Sequence, residues 1–251
     1  MNDNIHIKEI HYLYKMESKP ANFIIEDDED KIEVILNENE REEKEFLATI
    51  DECIKLYFHS GPRSSKKVDC LHGWIKSVLD KFIQLKEAQN TYKVLLEQNV
   101  PSLNGSGKKR CDIVLYKNEE PYILFPVKFI MTNYKQNKNN SWEGLTGEVV
   151  HLKYENPSIN IIPINIFMDK TPYLNKGKII TKFEKITYQD IKISEKLKEI
   201  KMNLAYDIIN YILCVDHVNN IGEKYDTLPN ILTISSDTKY RTFDEILQDL
   251  F

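Results

Sequence analysis

Two residues in the middle of the sequence have the types and spacing of a hydrolytic metal site. Asp112 opens the apolar segment 111–116, and Lys128 lies inside a second apolar segment, 122–131, after a short turn. A lysine flanked by apolar residues is costly to bury unless its ammonium group is paired or functional. Phosphodiester hydrolysis needs a carboxylate-bound cation, an activated water and positive charge near the phosphate. Asp112 and Lys128 are therefore the candidate catalytic pair.

The elements that must position this pair are predicted from apolar periodicity and turn residues. We expect helices over residues 65–88 and 141–153 and strands over 92–100, 111–116, 122–131 and 159–168. Outside this core, we expect strands at 5–14, 22–25, 32–36 and 231–235, a helix at 39–58, a hairpin at 178–188 and a long helix at 194–215. The central order is helix, three neighbouring strands, helix, strand.

This arrangement resembles the PD-(D/E)XK nuclease superfamily and, within it, the type II restriction endonucleases. The resemblance rests on Asp112, on the element that ends at Lys128 and on the strand order, and it covers roughly residues 65–168. It implies an α/β (α+β) fold with a restriction-endonuclease-like mixed β-sheet flanked by helices. It also implies that Asp112 and the backbone carbonyl of Val127 bind Mg²⁺, and that Lys128 orients or deprotonates the attacking water.

The motif departs from the family pattern at two positions. Cys111 stands where the family has proline, and Pro126 stands at the acidic position two residues before Lys128. In one subgroup of restriction enzymes a glutamate on the following helix replaces that missing metal ligand. Glu143 and Glu148 both flank the apolar stripe of the predicted helix, so helical geometry does not separate them. Glu143, with 14 residues between it and Lys128, is preferred on spacing, and Glu148 is the alternative.

Charge is distributed unevenly along the chain. The net charge is −5 and the isoelectric point is near 5.8. Residues 1–60 carry 7 basic and 16 acidic side chains, whereas residues 101–140 carry 7 basic and 3 acidic ones. Phosphate contacts favour such a basic segment, and asparagine can pair with adenine. The expected DNA-binding residues are Lys108, Lys109, Arg110, Asn133, Lys135, Asn137, Lys138 and Asn140.

Other patterns exclude several alternatives. The four cysteines form no C-x-x-C pair, and the six histidines show no metal-ligand spacing, so neither a zinc ribbon nor a histidine-based hydrolase is indicated. The glycine-containing segment 102–110 does not match a P-loop. No signal-peptide layout or membrane-length apolar run is found, and we expect a cytoplasmic protein.

The resulting hypothesis is a site-specific, Mg²⁺-dependent endonuclease acting on double-stranded DNA. We expect one nuclease domain over residues 1–251, with an acidic amino-terminal lobe at 1–60 and a catalytic core at 65–168. A palindromic target favours a homodimer, and the resemblance implies a cognate DNA methyltransferase that makes no direct contact. The alternatives are a repair, recombination or phage nuclease of the same superfamily, and a non-catalytic DNA-binding module with a decayed site.

Overall fold

The computed structural model describes residues 29–61, 64, 66–199, 203–236, 238 and 243–250. The chain divides into two compact units, Met1–Glu43 and Lys44–Phe251. The strands expected at 5–14 and 22–25 lie outside the described residues. The strand expected at 32–36 is wrong, because that segment belongs to a helix, Glu29–Ser60. Glutamate is the commonest residue of this helix, and its helix propensity outweighs a short apolar alternation.

The described elements, numbered in chain order, follow the expected sequence through the centre of the chain. They are α1 Glu29–Ser60, α2 Lys66–Leu85, β1 Tyr92–Pro101, β2 Lys108–Lys117, β3 Glu120–Phe125, β4 Val127–Ile130, α3 Tyr134–Glu155, β5 Asn160–Ile161, β6 Ile164–Met168, β7 Lys170–Leu174, β8 Ile180–Lys185, α4 Tyr188–Ile191, α5 Lys196–Glu199, β9 Ile209–Asp216, β10 Asn230–Ile234 and α6 Phe243–Gln248. A 3₁₀ turn, Lys192–Glu195, separates α4 from α5.

The protein is a mixed α/β structure with two four-stranded sheets and a small hairpin. The strand orders are β1-β2-β3-β5 and β10-β9-β6-β4, and β7 pairs with β8. The first sheet is antiparallel except for the parallel pair β3–β5, whereas β4, β6 and β9 run parallel. Ile162 N donates to Leu124 O at 2.9 Å and Ile164 N to Pro126 O at 2.8 Å, which continues the pairing between the two sheets.

The single strand expected at 122–131 is wrong in one respect, because it is divided at Pro126 into β3 and β4. Proline has no N–H to donate to a β-ladder, and the pairing partners change at this residue. Asp112 on β2 and Lys128 on β4 consequently belong to strands of different sheets. They remain close because Ile113 pairs with Phe125, so β2 runs beside the end of β3 where β4 begins.

Helices cover the sheets on both faces. The apolar side of α2, including Leu71, Ile75 and Leu79, packs with Ile113 and Phe125 of the first sheet. On the opposite face a second cluster joins three residues of α3 to two strands, and its members include Leu145, Val149, Leu152, Val114 and Leu124. The expected flanking helices are thus confirmed, and α3 begins earlier than expected, at Tyr134.

The long helix expected at 194–215 is wrong. The structure has the 3₁₀ turn, the short helix α5 and then β9, and nearly all of β9 is buried. A continuous apolar run is compatible with either a buried helix or a strand of a parallel sheet, and pairing with β6 decides for the strand. The expected hairpin begins earlier, with β7, and the closing strand is confirmed as β10. Of the helices described, none has the length and apolar character to span a membrane.

Candidate active site

Asp112 and Lys128 meet other groups at the junction between the two sheets. Oδ2 of Asp112 accepts a hydrogen bond from the backbone N–H of Val127 at 2.7 Å. Lys128 is the next residue, and its Nζ donates to Glu148 Oε2 at 2.9 Å. The aspartate therefore holds the start of β4, and the lysine reaches across to α3.

Glu148, rather than Glu143, is the helix carboxylate that the structure brings to this junction. Its Oε2 contacts Lys128, and its Oε1 lies 3.2 Å from Nζ of Lys109. The side chain is only 11% exposed, whereas Glu143 is exposed. Glu148 directly precedes Val149, which is buried in the cluster between α3 and the sheet, so this part of α3 lies against the sheet. The geometry thus favours Glu148 over Glu143, the residue that spacing along the chain preferred.

The pKa values of Glu148 and Asp112 are shifted in opposite directions. Burial alone would raise the pKa of Glu148, but Lys128 and Lys109 outweigh it and hold that pKa below its ordinary value. Burial raises the pKa of Asp112, and the Val127 N–H, His72 and Lys128 do not fully offset it. Glu148 is compensated by lysines, whereas Asp112 retains an unfavourable buried charge that a bound cation would relieve.

Glu97 and His72 complete the cluster around Asp112, and sequence reasoning missed both. Leu96 pairs with Ile113 and Gln98 with Cys111, so Glu97 lies opposite Asp112 across the β1–β2 ladder. Its φ is 56°, an uncommon left-handed conformation for glutamate. His72 on α2 is 3% exposed, and its Nδ1 lies 3.2 Å from Glu97 Oε1.

Ligand atoms of His72, Glu97 and Asp112 all lie within 4.8 Å of one another. Within the part of the chain that the structure describes, the buried Nε2 of His72 has no hydrogen-bond partner. Carboxylate oxygens suit Mg²⁺, and an imidazole suits several transition metals. These donors fit a divalent cation. The signals available in sequence were an acid inside the apolar strand at 92–100 and a histidine on the apolar side of a helix.

The basic segment before Asp112 lies beside these carboxylates. Lys109 pairs with Glu148, and Nε of Arg110 lies 2.5 Å from Glu97 Oε2. The Arg110 side chain is 67% exposed, and Lys108 is also exposed. Arg110 therefore faces solvent next to the candidate metal ligand Glu97, and Lys108 is exposed two residues earlier on the same strand, where both can contact a phosphate backbone.

The expected DNA-binding residues at the start of α3 separate into two groups. Both polar atoms of the Asn133 amide bind the backbone of Leu174, Lys135 Nζ lies 3.4 Å from Asp190, and Asn137 donates to Asn133 O. These three side chains have partners within the fold. Lys138 and Asn140 instead line a pocket that also includes Lys128.

Comparison of the chain with protein-family models, with curated proteins and with solved structures finds no match.

Proposed function

We propose that this chain is a Mg²⁺-dependent endonuclease that cleaves double-stranded DNA at specific sites, with a fold like that of type II restriction enzymes. One observation carries the proposal. Lys128 and Asp112 come from different sheets, yet Asp112 binds the backbone of Val127 and Lys128 binds Glu148 of α3. An aspartate, a lysine and a helix-borne glutamate near one sheet junction support the interpretation that Glu148 takes the part of the strand acid that Pro126 replaces.

The residues divide the catalytic work by position. Asp112 and Glu97 are placed to hold the cation, and Glu148 is the replacement ligand or the group that positions Lys128. When bound, Mg²⁺ would polarise the phosphodiester and lower the pKa of a bound water. Lys128 would orient that water or stabilise charge on the phosphate, because its ammonium group pairs with Glu148 and its side chain is 43% exposed.

Double-stranded DNA is the substrate that the surrounding charges support. Lys108 and Arg110 are exposed on the same strand as Asp112, and Arg110 pairs with Glu97. Phosphate contacts of this kind fix the position of DNA without reading its sequence. Sequence specificity, a dimeric assembly and a companion methyltransferase are parts of the proposal that follow from the resemblance alone.

The decisive experiment is cleavage of supercoiled plasmid in Mg²⁺ by Asp112→Ala and Lys128→Ala proteins. We expect each substitution to lower the cleavage rate at least about 100-fold. DNA binding, measured by fluorescence anisotropy in EDTA, should survive, because these groups serve the metal and the water. Lys176→Ala, at an exposed position, is the matched control and should cut normally.

The same digestion separates the alternatives. Discrete bands support a site-specific enzyme, whereas a smear or selective cutting of branched DNA supports a repair or recombination nuclease. DNA binding without any cleavage by the native chain in Mg²⁺ would mean a decayed site, and undiminished cutting by Lys128→Ala would place the active site elsewhere.

A further inference from the structure

A pocket opens beside Lys128 on the face of the second sheet that α3 covers. Its volume is about 290 Å³, close to the lower end of the roughly 300–1,000 Å³ typical of small-molecule sites. Aromatic and aliphatic side chains form most of the wall, including Trp142, Tyr134 and Phe167. The pocket therefore suits one small, flat, largely apolar group.

A polar row crosses the sheet from Lys128 into this pocket. Lys128 pairs in register with Asn165 on β6, and Asn165 pairs with Asn210 on β9. Asn165 and Asn210 are 3% and 1% exposed. Buried amides on an otherwise apolar face are costly unless their hydrogen bonds are satisfied.

The hydrogen bonds behind the pocket give Asn165 a defined orientation. The Ser194 hydroxyl donates to Ile191 O at 3.0 Å and accepts from Asn210 Nδ2 at 3.1 Å. Oδ1 of Asn210 then accepts from Asn165 Nδ2 at 2.9 Å. Among the described residues, none donates a hydrogen bond to Asn165 Oδ1. The pocket thus has an apolar wall and an acceptor, Asn165 Oδ1, on a buried residue.

We propose that this pocket receives one nucleobase that is unstacked from the DNA substrate, with an N–H of the base donated to Asn165 Oδ1. The inference rests on the proposed nuclease function. A base has a flat apolar face for the aromatic wall and N–H groups on its pairing edge, and proteins read extruded bases through these features. A free metabolite would fit the wall equally well, but the cations at the pocket favour a base that is still joined to a phosphate.

The position of the pocket beside Lys128 favours DNA as the source of the base. Lys128, which the proposed mechanism places at the scissile phosphate, is also a wall residue, and Lys138 and Asn140 line the same pocket. A strand whose phosphate lies at Lys128 therefore has a neighbouring nucleotide within reach of the cavity. Unstacking is least costly for a base that is already unpaired.

The test measures binding of the full chain, in EDTA, to labelled duplexes that differ only at one unpaired position. That position holds adenine, purine without its amino group, or an abasic sugar. We expect adenine to bind about tenfold more tightly than purine, because purine leaves the buried acceptor unsatisfied. The abasic duplex should bind most weakly.

Variants locate the effect. Asn165→Leu should bring adenine to the affinity of purine, because it removes the acceptor. Trp142→Ala should weaken adenine and purine alike toward the abasic level, whereas Tyr154→Ala, 65% exposed on the same helix, should change neither. In Trp74→Phe protein, Trp142 is the one tryptophan left in the chain, and the adenine duplex should quench its fluorescence.

The outcomes separate this inference from the proposed function. Equal affinity for adenine and abasic duplexes, with no quenching of Trp142, overturns the pocket assignment even if the protein cuts DNA. Base-dependent binding that Asn165→Leu removes supports the pocket even if no DNA is cut. Free deoxyadenosine monophosphate that binds as tightly as the adenine duplex would make this a free-nucleotide site and overturn the assignment to the DNA strand.

Discussion

At the scale of single residues, burial and the neighbouring groups shift the pKa of Asp112 in opposite directions. Burial raises its pKa, and a hydrogen bond from Val127 with the charges of His72 and Lys128 only partly restores it. A group whose pKa is higher in the folded than in the unfolded state stabilises the fold when it is protonated. That contribution is complete below the unfolded pKa and is lost as the pH rises through the folded pKa.

Replacement of Asp112 by asparagine should therefore stabilise the metal-free protein at pH 8. The amide keeps an oxygen for the Val127 N–H and carries no charge, so we expect a higher melting temperature, by about 2–4 °C for each kcal/mol gained. The gain should disappear at acid pH, where the native aspartate is also neutral. Mg²⁺ should raise the melting temperature of the native chain only. A variant that melts earlier than the native chain at pH 8 contradicts this account.

The two glutamates of α3 offer a matched pair of substitutions. Glu148→Gln removes the negative charge that pairs with Lys128 and Lys109, and we expect a loss of at least about 100-fold in cleavage rate. Glu143 is exposed on the same helix, and Glu143→Gln should cut at close to the native rate. Single-turnover digestion in Mg²⁺ measures both. The opposite order of effects would indicate that Glu143, and not Glu148, is the metal ligand.

At the scale of elements, Asn133 was expected to contact DNA, but its side chain makes hydrogen bonds within the fold. Its φ is 54°, it precedes α3, and its amide both donates to Leu174 O at 3.1 Å and accepts from Leu174 N at 2.9 Å. Asparagine tolerates this left-handed conformation better than most residues. It therefore ties the start of α3 to the hairpin strand β7.

Replacement of Asn133 by alanine should cost roughly 1–3 kcal/mol of unfolding free energy, from two lost hydrogen bonds and an unfavourable φ. Asn133→Gly should recover the conformational part, because glycine adopts positive φ freely. Chemical denaturation measures both, with Asn139→Ala, at an exposed position, as the control. A stability change below about 0.5 kcal/mol, together with altered DNA specificity, would restore Asn133 to the DNA interface.

At the scale of the whole molecule, the division of the chain bears on assembly. Lys44–Phe251 forms one compact unit and contains every residue of the candidate site. The helix expected at 194–215 does not exist, so it cannot supply a dimer interface. The acidic amino-terminal lobe, residues 1–60, is then the candidate for the dimer interface, and residues 1–28 of it lie outside the described residues.

The fragment 44–251 should fold and retain metal-dependent cleavage chemistry, because the described core residues and the candidate site residues lie within it. We expect circular dichroism and melting close to those of the full chain. Light scattering at micromolar concentration should show a homodimer for the full chain bound to DNA. A monomeric fragment that nicks one strand would assign dimerisation to residues 1–43, and an unfolded fragment would show that the unit is not independent.

Sequence by itself determined the central elements and the two residues with the most unusual settings. Turn residues and periodicity are local properties, so they delimited α2 and β1 closely and located β2 and α3, although α3 begins seven residues earlier than expected. Asp112 and Lys128 were recognisable because a charge inside an apolar strand needs a reason. Pro126 was visible as the missing acid. Because proline has no N–H to donate to a β-ladder, it also separates β3 from β4.

Tertiary structure alone decided which other groups join that pair. Glu97 and His72 reach Asp112 through strand register and helix packing, neither of which is encoded by spacing along the chain. Glu143 and Glu148 are equivalent on an isolated helix, and only the packing of α3 against the sheet selects one. The apolar run of β9 became a strand because β6 offered a parallel partner, since hydrogen bonding between distant segments decides where local propensity is ambiguous.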